Sequence, residues 1–354
     1  MDKTSQDNDS KNIEIAWSLV RKGEMEKAEA IYRKIVSGNT KNHIAYGNLA
    51  ALVGINGNQI EMIKLLKKAL EIEPNYAEGH SNLGITFFQQ GDLNSAISSY
   101  QKALRLKPEY PDALNNLGMA LQEKGEYDSA SSFYNQALKL NPNFPEARWN
   151  LSHIQLLTFD YASGWRNYES RWKKSDLPKL YAHPEISKWN GKLLQKDEKL
   201  LVVSEQGLGD TLQFMRYIPY LKDLGYDICF SAQEKLHNLI KVSNIDQNPL
   251  TPGEAKNVLN RKPIPLLSIL RHLKINPKNP IRNKPYIFSS HELVNKWKNL
   301  LLNEKGPIIG INWQGNPDAE KTYQRGRSLP LELFSNITLN HNLKFLSIQN
   351  GFGS

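Results

Sequence analysis

Residues Glu205–Asp210 hold the pattern in this chain most able to do chemistry, Gly207-Leu208-Gly209-Asp210 after the apolar run Leu200–Val203. Glycines let the backbone approach a ligand closely. A carboxylate just beyond them can take a proton from a hydroxyl if it lies within hydrogen-bond reach. An aspartate before a helix also serves simply as its cap, and the two roles are compatible. No lysine follows the glycines, so this is not a phosphate-binding P-loop, and the third glycine of a dinucleotide fingerprint is missing. Leu212, Met215, Ile218 and Leu221 then recur at helical spacing. The stretch predicts a strand, a glycine loop and one helix. In sheets built from such units, ligands sit beyond the carboxyl ends of the strands, where this loop lies.

Composition narrows the setting. The chain has 354 residues, 40% of them hydrophobic, which is enough for two or three domains with real cores. No apolar run reaches the roughly 18 residues of a membrane helix, and the polar start MDKTSQDNDSKN has no signal-peptide core. The single cysteine, Cys229, cannot form an internal disulfide. A cytoplasmic protein is expected. The net charge of +9 comes from scattered lysines without a nucleic-acid-binding motif, so solvated basic faces explain it best. No Asp-x-Asp pair or other metal signature is present, so no metal or resident cofactor is expected.

The elements before the loop repeat. Leu49, Leu83, Leu117 and Leu151 are 34 residues apart, each followed by a small residue: Ala50, Gly84, Gly118 or Ser152. Ala28, Met62, Ala96 and Ala130 form another column, Tyr32, Leu66, Tyr100 and Tyr134 the next, and Ile35, Ala69, Ala103 and Ala137 a third. Pro74, Pro108 and Pro142 fall where a second helix must stop. This pattern resembles the tetratricopeptide repeat. It implies a disordered tail over residues 1–8, four repeats over 9–144, and a degenerate fifth repeat with docking helices over 145–175. In that last unit Gly164 and Arg171 stand where small apolar residues are expected. Asn48, Asn82, Asn116 and Asn150 also recur every 34 residues, on the first helix of each unit. That helix lines the concave surface of a repeat superhelix. A row of amides there can hold the backbone of an extended peptide without reading its sequence, or it can serve helix-to-helix hydrogen bonding. The tetratricopeptide half of O-linked N-acetylglucosamine transferases carries a similar asparagine ladder that holds protein substrates.

After a connector broken by Pro178, Pro184 and Gly191, apolar runs alternate with helical spacing. Strands are expected at Leu200–Val203, Asp227–Ser231 and Tyr286–Phe288. Helices are expected at Gln233–Val242, Pro265–Leu273 and Glu292–Leu302. This alternation predicts a mainly parallel sheet. The stretch SEQGLGDTLQFMRYIPYLKDLGYDICF resembles the opening of bacterial proteins that join tetratricopeptide repeats to a heptosyltransferase-like glycosyltransferase domain. The resemblance makes Asp210 the base that deprotonates an acceptor hydroxyl, with Gln206, Gly207, Gly209 and Thr211 binding substrate around it.

A second unit begins with the strand Gly306–Asn312, then Trp313-Gln314-Gly315-Asn316-Pro317, then Arg325, Arg327 and Ser328, then a helix over Leu331–Ile337 and a strand over Leu343–Ile348. Its order resembles the donor half of the same family. The resemblance implies that Trp313, Asn316, Arg325, Arg327 and Ser328 face the diphosphate of a nucleotide sugar, to which arginines offer bidentate donors. An exposed loop for the arginines, packing for Trp313 and capping for Ser328 are the plainer alternatives.

The fold class expected is therefore α + α/β. A tetratricopeptide α-solenoid precedes a Rossmann-like body of GT-B type, with an acceptor-side domain over 176–305 and an incomplete donor-side domain over 306–354. The function implied is glycosyl transfer from a nucleotide sugar to a protein or glycan, and these 354 residues alone are expected to turn over little or no sugar nucleotide. The alternative is a non-catalytic scaffold that binds protein or peptide partners in the repeat groove.

Overall fold

The computed structural model of the protein describes residues 3–38, 41–174, 181, 198–205, 207–276, 285–304, 306–312, 330–334 and 343–348. They form two compact units, divided after Tyr286.

The first unit opens with five helix pairs: α1 (Lys3–Arg21) and α2 (Met25–Ser37), α3 (His43–Ile55) and α4 (Gln59–Ile72), α5 (Ala77–Gln90) and α6 (Leu93–Leu106), α7 (Pro111–Glu123) and α8 (Tyr127–Leu140), α9 (Pro145–Leu157) and α10 (Tyr161–Tyr168). Each helix packs on its partner, and α2, α4, α6 and α8 also pack on the first helix of the next pair. The repeated columns form the core: Ala28, Tyr32, Leu49, Leu66, Ala96, Tyr100, Leu117, Ala130, Tyr134 and Leu151 are all buried. Small residues face large ones sixteen positions later. A Cβ on Gly84 would come within 2.6 Å of the Tyr100 ring, and one on Gly118 within 2.7 Å of Tyr134. Helices α4, α6 and α8 each end two residues before Pro74, Pro108 or Pro142, because proline has no donor to continue them. The turn between the two helices of a pair holds a left-handed glycine: Gly23, Gly57, Gly91 and Gly125 have φ between 80° and 84°.

Helix α1 starts at Lys3, within the stretch 1–8 expected as a tail. The polar first turns carry no apolar periodicity, but once the packed part of α1 is nucleated, each further turn adds a hydrogen bond at little cost.

A 3-10 turn, Glu169–Lys173, leads out of α10. The α/β body holds β1 (Lys199–Val203), β2 (Asp227–Ser231) and β3 (Lys262–Pro265), all parallel, in the order β2-β1-β3. Burial of Leu200, Val202, Phe230, Ile264, Met215, Ile218 and Leu221 makes its core. The single helix expected after the glycine loop is two: α11 (Leu208–Phe214) and α12 (Tyr217–Asp223). Pro219 has no N–H for the Met215 carbonyl, which accepts instead from the Ile218 N–H at 3.0 Å. Three short helices and two 3-10 turns complete the described part of the body: the 3-10 turn Glu234–Leu236 with α13 (His237–Val242), α14 (Pro252–Ala255), and the 3-10 turn Leu266–Ser268 with α15 (Ile269–Leu273). No strand forms at Tyr286–Phe288. Tyr286 is held by its side chain: its hydroxyl donates to the Leu212 carbonyl at 2.8 Å and accepts from Arg216 at 2.9 Å.

The second unit holds α16 (His291–Leu300), the parallel pair β4 (Ile308–Ile311) and β5 (Lys344–Ser347), and the 3-10 turn Leu331–Phe334. The Rossmann-like GT-B body expected from the sequence is not shown: the described residues hold only two small parallel sheets, of three and two strands.

Candidate functional site

Two places in the first unit could meet a ligand. One is the face of the first helices. Helices α3, α5, α7 and α9 each contact the next one directly, so they line the inner side of the stack. Asn48, Asn82, Asn116 and Asn150 stand on them, each half-buried. Asn48 donates to the Tyr32 hydroxyl at 3.3 Å, and Asn150 donates to Asn115 of the previous repeat at 3.0 Å. Asn115 in turn donates to Asn116 at 3.4 Å. Part of this row therefore ties repeat to repeat.

The other place is the loop after β1. Gly207 is the N-cap of α11, so Asp210 is not the cap; it sits in the first turn, exposed to solvent. Its carboxylate folds back over Gly207, where a Cβ would collide with it. Thr211 is buried, with its hydroxyl 3.0 Å from Gln233 Oε1 and 3.1 Å from the Gly207 carbonyl. The Gln233 amide donates to the Glu205 carbonyl at 2.7 Å. Gln206 lies outside the described residues, as do Trp313, Asn316, Arg325, Arg327 and Ser328. Gly207, Gly209, Asp210 and Thr211 are brought together; the donor-side residues are not placed.

Beneath the loop lies a buried ion cluster. Arg171, 2% exposed, makes a forked pair with Glu205, Nε to Oε2 at 3.2 Å and Nη2 to Oε1 at 3.0 Å. It also donates to Glu169 at 2.9 Å, to Ser268 Oγ at 2.9 Å and to the Tyr168 carbonyl at 3.2 Å. Its guanidinium lies 4.6 Å from the ring centres of both Tyr168 and Trp172. Burial works against its charge, but Glu205 and Glu169 outweigh burial and push its pKa up. An arginine in a column of small apolar residues was the visible signal. Its partners Glu205 and Ser268, and Gln233 beyond Glu205, carried none, because they are distant in sequence and single polar residues have no period.

Aromatic residues fill the space between the last repeat and the body. Trp149, His153, Tyr168 and Trp165 form a chain of ring contacts with centroids 4.4–5.8 Å apart along it. Trp165 donates to the Ile275 carbonyl at 3.1 Å. Burial, with Lys174 nearby, lowers the His153 pKa to about 4.

Comparison with known proteins identifies the repeats. A family model described as TPR repeat matches residues 56–91 and 86–125, and a tetratricopeptide repeat model matches residues 111–144. A TPR repeat-containing thioredoxin of Arabidopsis thaliana, TTL4, is 28% identical over 90 residues, which are 25% of this chain and 13% of that protein. The chain thus spans a small part of that relative. Among solved structures, Pseudomonas aeruginosa PilF is 19% identical, with 48% of this chain and 77% of that one covered at a TM-score of 0.44. MamA from Desulfovibrio magneticus RS-1 is 14% identical, with 48% and 98% covered at a TM-score of 0.40. The N-terminal region of this chain carries tetratricopeptide repeats. Among the described residues, no helix is long and apolar enough to cross a membrane.

Proposed function

We propose that the repeat stack binds an extended segment of a protein partner along the face of α3, α5, α7 and α9. The 34-residue spacing of Asn48, Asn82, Asn116 and Asn150 on contacting helices carries this reading. Amides at regular steps can pair with successive peptide groups whatever the side chains between them. Each such bond contributes about 0.5–1.5 kcal/mol, so four together are worth roughly thirtyfold in affinity or more. The test is an array of unmodified 15-residue peptides probed with the full chain, with selected peptides measured by fluorescence polarisation. The quadruple Asn→Ala variant should lose roughly thirtyfold in affinity. The Asn82→Ala/Asn116→Ala pair, which leaves the Asn48–Tyr32 and Asn150–Asn115 bonds in place, should lose roughly fivefold. Unchanged affinity in both would remove the row as a peptide ladder.

A second reading, glycosyl transfer, is favoured by one observation: Asp210 is exposed at the carboxyl end of the central strand of a parallel sheet. In this reading the body is the acceptor half of a two-domain GT-B enzyme. Asp210 takes the proton as an acceptor hydroxyl attacks the anomeric carbon, and a nucleoside diphosphate leaves with the sugar's former bonding pair. Gln206, Gly207, Gly209 and Thr211 hold the acceptor. Trp313, Asn316, Arg325, Arg327 and Ser328 hold the departing diphosphate. Release of nucleoside diphosphate from a panel of nucleotide sugars, measured on the intact two-domain form, tests it. Asp210→Asn should cut turnover by about 10²–10⁴-fold. A variant as fast as the parent, or a panel with no turnover at all, leaves the scaffold reading alone.

A further inference from the structure

We propose that Arg171 is a positioning residue through which the repeat stack sets the placement of Glu205 and of residues 207–211. A guanidinium has five N–H donors in a planar fork, and the five bonds of Arg171 use all of them. Two point back to the repeat side, to the Tyr168 carbonyl and Glu169. Three point to the body, two to Glu205 and one to Ser268. Tyr168 and Trp172 flank the guanidinium at 4.6 Å each, so it is held in orientation as well as in place. Ser268 also donates to Glu169 at 3.1 Å, closing the cluster across the junction.

From Glu205 the contacts run on into the loop. Its carboxylate accepts the fork, and its carbonyl accepts from Gln233. Gln233 Oε1 accepts from Thr211, which follows Asp210 directly. On the other side, the Tyr168 ring sits 4.6 Å from Trp149 on α9, the last of the peptide-facing helices. A continuous set of contacts thus joins α9 to the Asp210 loop, and a shift of the 3-10 turn must move Glu205 or leave a buried cation without its partners. This inference concerns the shape of the loop and holds or fails separately from either function proposed above.

Hydrogen exchange on the full chain, read by mass spectrometry, tests it without any substrate. Arg171→Lys keeps the charge but has three donors and no planar fork. Glu205→Gln leaves Arg171 in place and removes one of its two acceptor oxygens. In each variant, exchange over residues 204–212 should rise by about tenfold or more, while helices α3–α8 and strand β2 keep wild-type protection. Wild-type protection of the loop in a folded variant overturns the proposal, because it means that filling the site with charge is enough. Loss spread evenly over repeats and sheet overturns it too, in favour of a general packing role. So does failure of both variants to fold.

Discussion

At the scale of single residues, the repeat half is governed by close fits that leave no slack. Gly84 lies against buried Tyr100, and any Cβ there would stand 2.6 Å from the ring. Gly84→Ala should therefore cost about 1–3 kcal/mol, read as a lower urea midpoint at unchanged slope. In the same column Ala50 already carries that methyl, with Leu66 sixteen positions later in the same core cluster in place of a tyrosine. His153 makes stability depend on pH. Its pKa falls from the ordinary 6.5 to about 4, first because it is buried and then because Lys174 is near. Between these values the unfolded chain binds the proton and the folded chain does not. Stability is then fully present above about pH 6.5 and is lost as pH falls toward 4. His272, also lowered to about 4, chiefly by burial and then by Arg271, acts in the same direction. His153→Phe should remove on the order of 2 kcal/mol of the loss between pH 7 and 4.5. Urea melts at the two pH values check this, and an unchanged difference would show that the ring is not the titrating group.

At the scale of elements, the fifth helix pair departs from the others at its turn. Gly23, Gly57, Gly91 and Gly125 occupy the left-handed turn of the first four pairs, and Phe159 occupies it in the fifth, at φ 69°. A side chain in that conformation costs about 1–2 kcal/mol, whereas glycine loses more chain entropy on folding. Phe159 is 71% exposed, so little burial offsets the strain. Phe159→Gly should stabilise the protein by roughly 0.5–1 kcal/mol, seen as a raised thermal midpoint, and a lowered midpoint would mean that the Phe159 ring earns its place by contact with Tyr161. The repeat helices were legible in the sequence because each is specified several times over, by apolar spacing, small columns and stop prolines. The body was harder to read. Strand β3 was not expected, since Pro263 and Pro265 argue against a strand; it lies at the sheet edge, where missing donors on one side do no harm. The split between α11 and α12 depends on one residue, Pro219, inside a stretch whose apolar period continues unbroken.

For the whole first unit, the two ends of the repeat stack are anchored differently, and this predicts where it opens. In a repeat array each pair is stabilised by its neighbours. Helix α1 packs chiefly on α2. The other end is fastened: Trp165 bonds to the Ile275 carbonyl, and Arg171 joins the 3-10 turn to Glu205 and Ser268. The candidate site was legible in the same uneven way. Asp210 and the asparagine row show in local pattern. The cluster that holds the loop does not, because Arg171 and its partners Glu205 and Ser268 are 34 and 97 residues apart. Those long-range bonds give the array a direction. Native-state hydrogen exchange should show amides of α1 and α2 opening about tenfold faster than those of α9, with α3–α8 graded between them. Adding Arg171→Met should speed α9 and α10 and leave α1 and α2 unchanged, since α1 packs on α2 and α2 on α3. If α9 opens first in the wild-type chain, the junction is a hinge rather than a clasp, and the stack is stabilised from its α1 side inward.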